Sequence, residues 1–207
     1  YNPRVPLAEP LHVSRAPRGE VVTVLLGGDT APQHDAMPGI RAHGYGWPYR
    51  PTAGLFRAAD VTFLNVEAPL TDTADELPRY TRYRHRVRPA AAAAWAELGL
   101  TVAGLANNHM VDRAVTGLLD TVRHLEAAGI APVGCGATEA AARRPVIVDV
   151  GGTRIGFLAY LEDGIFNNLW LRIFAVGRRP GCARLLRSDV TEDVRRQTAY
   201  VSTERGN

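Results

Sequence analysis

The chain runs to 207 residues, 46% of them hydrophobic and 22% charged, which excludes wholesale disorder and a collagen-like repeat and suits one α/β domain with a full hydrophobic core. All 24 basic residues are arginine, and against 21 acidic residues they leave a net charge of +3, too little to argue for a nucleic-acid partner. No stretch approaches the roughly 18 consecutive apolar residues of a membrane span, and Cys135 and Cys182 allow at most one internal disulfide and no C-x-x-C metal site.

In chain order, residues 1–18 carry Pro3, Pro6, Pro10 and Pro17 and read as an extended arm. The run VVTVLLGGD from Val21 is apolar on both faces and predicts a buried strand that delivers Asp29 at its carboxyl end. The following segment, APQHDAMPGIRAHGYGWPYR, is rich in Gly, Pro and aromatics and reads as a loop over the same sheet edge. His34 and His43 stand there as spare ligands, with Tyr45, Trp47 and Tyr49 as apolar walls. A short helix over 54–59 leads into a second strand, Val61–Glu67.

Pro89 and Gly99 punctuate an alanine-rich helix, and the run LTVAGLANNH then predicts a third strand. Leu118, Leu119, Val122 and Leu125 recur near the 3.6 period, so residues 115–128 form an amphipathic helix that stops at Gly129. A short strand over 130–133, a helical turn over 139–143 and a hairpin through Gly151–Gly152 follow. Strands alternating with helices favour a layered α/β fold, a largely parallel sheet with helices on its faces. Residues 161–183 read as a long excursion loop, and 189–200 as a helix.

In open α/β sheets ligands bind at the carboxyl ends of strands, and three predicted strands end in polar residues: Asp29, then Asn65 and Glu67, then Asn107, Asn108 and His109. Carboxylates, amides and an imidazole from separate strand ends suit either a divalent metal or a bracketed phosphate. Each alone has a plainer role, as a cap, a solvated edge or a hydrogen-bonded structural residue. Arginines at 82, 84, 86 and 88 read either as an exposed basic edge or as a grip on phosphate or carboxylate.

The order GGDT at 27–30, ADVTFLNVEAPLTD at 59–72, HRVRP at 85–89 and LGLTVAGLANNHMVD at 98–112, then GLLDTVRHLEAAGIAPVGCG, resembles the CapA family of capsule-synthesis proteins over residues 20–160. The resemblance implies a fold similar to calcineurin-like metallophosphoesterases, divided here into the 1–18 arm, a domain over 19–160 and an incomplete continuation over 161–207. It implies metal-dependent hydrolysis in poly-γ-glutamate capsule or related synthesis, with two divalent ions (Mn, Zn or Mg). Asp29, Glu67 and Asn108 match metal-binding positions, and His109 matches the histidine that contacts phosphate and protonates a leaving group. Asn65, Asn107, Arg86 and Arg88 fall in supporting, substrate-binding positions.

The resemblance also implies further histidine ligands in H-W-G-x-E and G-x-H-P-H elements, and this sequence contains neither; its histidines stand at 12, 34, 43, 85, 109 and 124. A stretch of a longer protein is the favoured expectation, over ligands from a partner or a degenerate site. The alternative function is a non-catalytic polyanion-binding or assembly component of capsule biosynthesis, with an anionic small molecule or γ-glutamyl polymer as partner and no nucleic acid. Lysine-free, alanine-rich composition points to a GC-rich bacterial genome and leaves location open between cytoplasm and cell envelope.

Overall fold

Four parallel strands in the order β1-β2-β3-β4 form the frame of the computed structural model, which describes residues 21–76, 84–162 and 173–185. They are β1 (Val24–Thr30), β2 (Val61–Val66), β3 (Val102–Gly104) and β4 (Ala131–Val133). Each neighbour in the sheet is the next strand in sequence, so every connection crosses over through helix, as a parallel pair requires. Between β1 and β2 lie α1 (Met37–His43) and α2 (Ala53–Ala58), each preceded by a short 3-10 turn, so the segment expected as a loop after Asp29 is largely helical. Then come α3 (Ala90–Leu98) before β3 and α4 (Ala114–Ala127) before β4.

The helices form where the sequence punctuates them. Pro89 precedes α3, and Gly99 follows it in the left-handed conformation at φ 104°, which a glycine adopts without steric cost. Trp95 of α3 is fully buried, as are Leu118 and Leu125 of α4. These side chains share one core with Leu64, Val66, Ala103 and Leu105, so the helices cover one face of the sheet. Thr121 pins α4 to the strand-end segment by accepting from the Leu70 N–H at 2.8 Å while donating to Gly117 O at 2.6 Å.

The opposite face is treated differently. The hairpin of β6 (Val146–Val150) and β7 (Thr153–Phe157) turns at Gly151–Gly152 as expected, and Phe157 stacks on Phe63 of β2 at 5.8 Å. β1 departs from expectation: among the described residues it is the sheet's edge strand, and Val24 and Leu26 on its outer face are 37% and 68% exposed. An apolar run records that both faces can be buried; the covering element is a long-range property that the run does not carry.

The expected excursion loop is also corrected. Of residues 161–183, the pair β8 (Leu161–Glu162) and the stretch from Ile173 onward are described, and Ile173, Phe174, Ala175, Cys182 and Ala183 are buried. Here β9 (Gly181–Cys182) pairs antiparallel with β5 (Cys135–Gly136), and β10 (Arg184–Leu185) pairs parallel with β8. Gly181 marked a loop in sequence, yet its role is close packing, since a Cβ there would lie 2.3 Å from the Ala175 nitrogen. A single turn of helix, α5 (Glu139–Ala142), capped by Thr138, follows β5. The arm over 1–18 and the helix over 189–200 lie outside the described residues.

Candidate functional site

The site begins with an irregularity in β1. Its register against β2 runs Leu26↔Phe63 and then Asp29↔Asn65, so Gly27 and Gly28 together oppose Leu64 alone. This is a β-bulge, which bends a strand and re-aims the residue after it. Packing is close here: a Cβ on Gly27 would stand 2.3 Å from Leu64 Cδ2, so a larger residue would push the Leu64 side chain aside. The consequence is that Asp29 is set directly beside Asn65, whose Nδ2 donates to Asp29 Oδ1 at 2.6 Å.

From Asn65 a chain of hydrogen bonds runs across the strand ends. Asn107, just beyond β3 and 6% exposed, donates from Nδ2 to Asn65 Oδ1 at 3.2 Å and to Val66 O at 2.9 Å. Its Oδ1 accepts from the His109 N–H at 3.1 Å. His109 Nδ1 meets Asp112 Oδ2 at 2.8 Å, and the same carboxylate oxygen accepts from the His85 N–H at 2.7 Å. The imidazoles of His85 and His109 lie 4.0 Å apart, and His85 Nδ1 is hydrogen-bonded to the Gln33 amide. Gln33 Oε1 in turn accepts from the Arg86 N–H at 3.2 Å.

Asp112 is fully buried and the His109 side chain is only 16% exposed. A carboxylate on Nδ1 fixes the ring's orientation and leaves Nε2 as the atom that exchanges protons with a ligand. Glu67, just past β2, has its N–H on Thr30 O at 3.0 Å. Its carboxyl is held above the ordinary range, first by burial and next by the charge of Asp29, against a smaller opposing effect of His109. Glu67 therefore lies within electrostatic reach of Asp29 and His109, and two neighbouring carboxylates are the hard-oxygen arrangement that a bound cation relieves. The donors fit a divalent ion in kind; among the described residues no three His, Cys, Asp or Glu side chains group to hold a metal by themselves, so an amide such as that of Asn108 would have to join the two carboxylates.

Of the residues singled out in sequence, Asp29, Asn65, Asn107 and His109 thus lie along one hydrogen-bonded chain, with Glu67 beside it. Asn108 is half-buried between Asn107 and His109. Arg86 and Arg88 flank the site through their backbone, while their guanidinium groups face the 72–76 segment: Arg86 donates to Thr73 O at 3.4 Å and Arg88 to Asp72 at 3.3 Å. Arg84 and Arg113 both pair with Glu76. Of the two spare histidines, His34 approaches His85 at 6.1 Å between rings, and His43 stacks on Trp47 instead. Tyr45 accepts the Arg88 N–H and Tyr49 is hydrogen-bonded to Thr30.

Sequence reasoning missed three members: Asp112, His85 and Gln33. Asp112 stands three residues after His109, which was the available signal; nothing local marks Gln33 or His85 as partners.

The chain is similar to known proteins over most of its length. The family described as bacterial capsule synthesis protein PGA_cap matches residues 23–198. A probable polyglutamine synthesis accessory protein of Mycobacterium tuberculosis is 33% identical over 185 residues, covering 70% of this chain and 48% of its own length. The capsule biosynthesis protein CapA of Bacillus anthracis is 24% identical over 147 residues, 69% of this chain and 35% of its own length. The chain thus spans about half, or less, of these relatives. Among the described residues no helix is long and apolar enough to cross a membrane.

Proposed function

The chain belongs to the bacterial capsule synthesis protein family, related to CapA and polyglutamate synthesis, and from that premise we propose that its strand-end site performs hydrolytic chemistry of the metallophosphoesterase type. The observation that carries the reading is the His109–Asp112 pair at 2.8 Å beside the Asp29 and Glu67 carboxylates. Asp112 holds the imidazole in place, and His109 Nε2 gives a proton to the leaving oxygen. Asn65 and Asn107 lock the rim on which these groups stand. Asp29, Glu67 and Asn108 would hold divalent cations (Mn, Zn or Mg), which supply charge neutralisation and an acidified water when bound.

The test uses the chain with Mn²⁺, Zn²⁺ or Mg²⁺, calorimetry for metal binding, and a chromogenic phosphodiester for turnover. Metal binding is expected to fall at least tenfold in Asp29→Asn and Glu67→Gln. Turnover is expected to fall by 10² or more in His109→Gln, the range usual for a lost general acid, with the circular dichroism spectrum unchanged. Equal metal affinity in wild type and both carboxylate variants would overturn the cation assignment; full turnover in His109→Gln would overturn the acid.

A second reading is binding of an anionic γ-glutamyl polymer without catalysis. It is favoured by Arg88, whose side chain is 73% exposed and whose pairing with Asp72 is at the surface, where a polyanion competes on even terms. Polyglutamate binding that weakens with added salt and with Arg88→Ala supports it; binding indifferent to both removes it.

A further inference from the structure

Cys135 and Cys182, 47 residues apart, meet in the core behind the site. Cys135 opens β5 and Cys182 closes β9, and the two are direct partners in the antiparallel register. Their Sγ atoms are 3.0 Å apart, and both residues are buried. The Cys182 N–H is committed to Ile173 O at 2.8 Å and its carbonyl to the Ala175 N–H at 2.9 Å, while the next residue, Ala183, donates to Gly134 O. The cysteines therefore form a non-hydrogen-bonded antiparallel pair, whose Cα atoms sit about 4.5 Å apart, at the short end of the span a disulfide bridges.

We propose that Cys135 and Cys182 are a disulfide-forming pair that clamps the 173–185 segment against β5, behind the loop leading to Asn107. The contacts on the other side of the sulfurs give the clamp its relation to the site. Cys135 Sγ donates to Leu105 O at 3.2 Å, and Cys182 Sγ lies 3.8 Å from both Leu105 O and Asn107 O. Oxidation orphans no buried acceptor there, because Leu105 O keeps the Asn107 N–H at 2.8 Å. A cross-link here shortens the excursion available to both chain segments in the unfolded state and ties the 173–185 segment to β5.

The chemistry is thiol–disulfide exchange with a low-molecular-weight disulfide of the glutathione type as oxidant. One cysteine thiolate attacks it, forming a mixed disulfide and releasing one small thiol. The second cysteine thiolate then displaces the other small thiol and forms the Cys135–Cys182 bond. Both protein sulfurs are oxidised, the small disulfide is reduced to two thiols, and these carry away the two hydrogens. Burial pushes the Cys135 thiol well above its ordinary value and both cysteines are closed off from a small disulfide, so exchange proceeds through opened or refolding molecules.

The experiment refolds the full chain from denaturant, once in a mixture of oxidised and reduced glutathione and once in excess reductant. Each sample is then denatured, alkylated with N-ethylmaleimide and weighed by intact mass spectrometry. The expected product of oxidative refolding is a monomer lighter by two hydrogens that takes no alkyl group until reduced, with a Tm roughly 5–10 °C above that of the reduced chain. In Cys135→Ser or Cys182→Ser that Tm difference disappears; should either variant fail to fold, the wild-type mass decides. Two alkyl groups per chain, glutathione adducts, or disulfide-linked dimers after oxidative refolding would overturn the proposal, as would equal Tm values for a chain shown to be cross-linked.

Discussion

The two flanks of the site are built to different standards. On the β3 side, Asn107 and Asp112 are buried, and the chain from Asn107 to His109 is held by backbone and side chain together. On the β1 side, Asp29 is exposed, and what holds it is a bulge and one hydrogen bond from Asn65. The first flank is preorganised before any ligand arrives; the second is two carboxylates that repel. Preorganised donors are the part of a site that folding alone can supply, whereas converging like charges gain their stability only when a counter-charge binds.

The largest expected effect that tests this contrast is Asp112→Ala. It removes the acceptor for both the His109 ring and the His85 N–H from a site with no water access, so we expect a loss of about 3 kcal/mol in urea unfolding. Asp29→Ala, by the same measurement, is expected to change stability by no more than about 0.5 kcal/mol, as an exposed residue does. A comparable loss for both would erase the distinction between the flanks. Next in size is Asn107→Ala, which leaves Val66 O and Asn65 Oδ1 without their donor and should cost about 2 kcal/mol, while Asn107→Asp should cost at least as much, since it keeps the shape and loses the donor. Smaller again is Gln33→Ala, at about 1 kcal/mol, because the amide bridges His85 and Arg86 from a half-buried position.

How much of this was legible follows from the range of each signal. Asp29, Glu67 and His109 stood out because apolar runs end abruptly in residues that strands do not otherwise favour, and that contrast is local. The bulge at Gly27–Gly28 was not legible, since two glycines before an aspartate read equally well as a turn; only the register against β2 shows that they oppose one residue. Asp112 and His85 escaped because a buried carboxylate in a turn and a histidine in an arginine-rich segment both look like surface. Their partnership spans 27 residues, beyond any periodicity. Similarly, Cys135 and Cys182 are joined only by the pairing of β5 with β9, and the apolar content of 173–183 was outweighed by its glycine and proline. The exposed outer face of β1 is the converse case, where the run's hydrophobicity overstated burial.

The smallest effect is a pH dependence, and it isolates the open flank. Glu67 is held above its ordinary value by burial first and by Asp29 second, so the folded state binds its proton more tightly than the unfolded state does. The stability contributed by this group is therefore complete below the ordinary glutamate range and lost as the pH rises through its raised folded value. In metal-free protein, thermal unfolding followed from about pH 4 to about pH 7 should show wild type losing stability relative to Glu67→Gln, which has nothing to titrate. Asp29→Asn removes the second cause and leaves the first, so the loss should shrink without vanishing. A carboxyl ¹³C titration of Glu67 checks the same point directly: its midpoint should move down in Asp29→Asn and move less in Asp112→Asn, whose charge is the least of the causes acting on Glu67. A midpoint that moves equally in both variants would mean that the two flanks share one field, and that the preorganised side is less insulated from the open one than its burial implies.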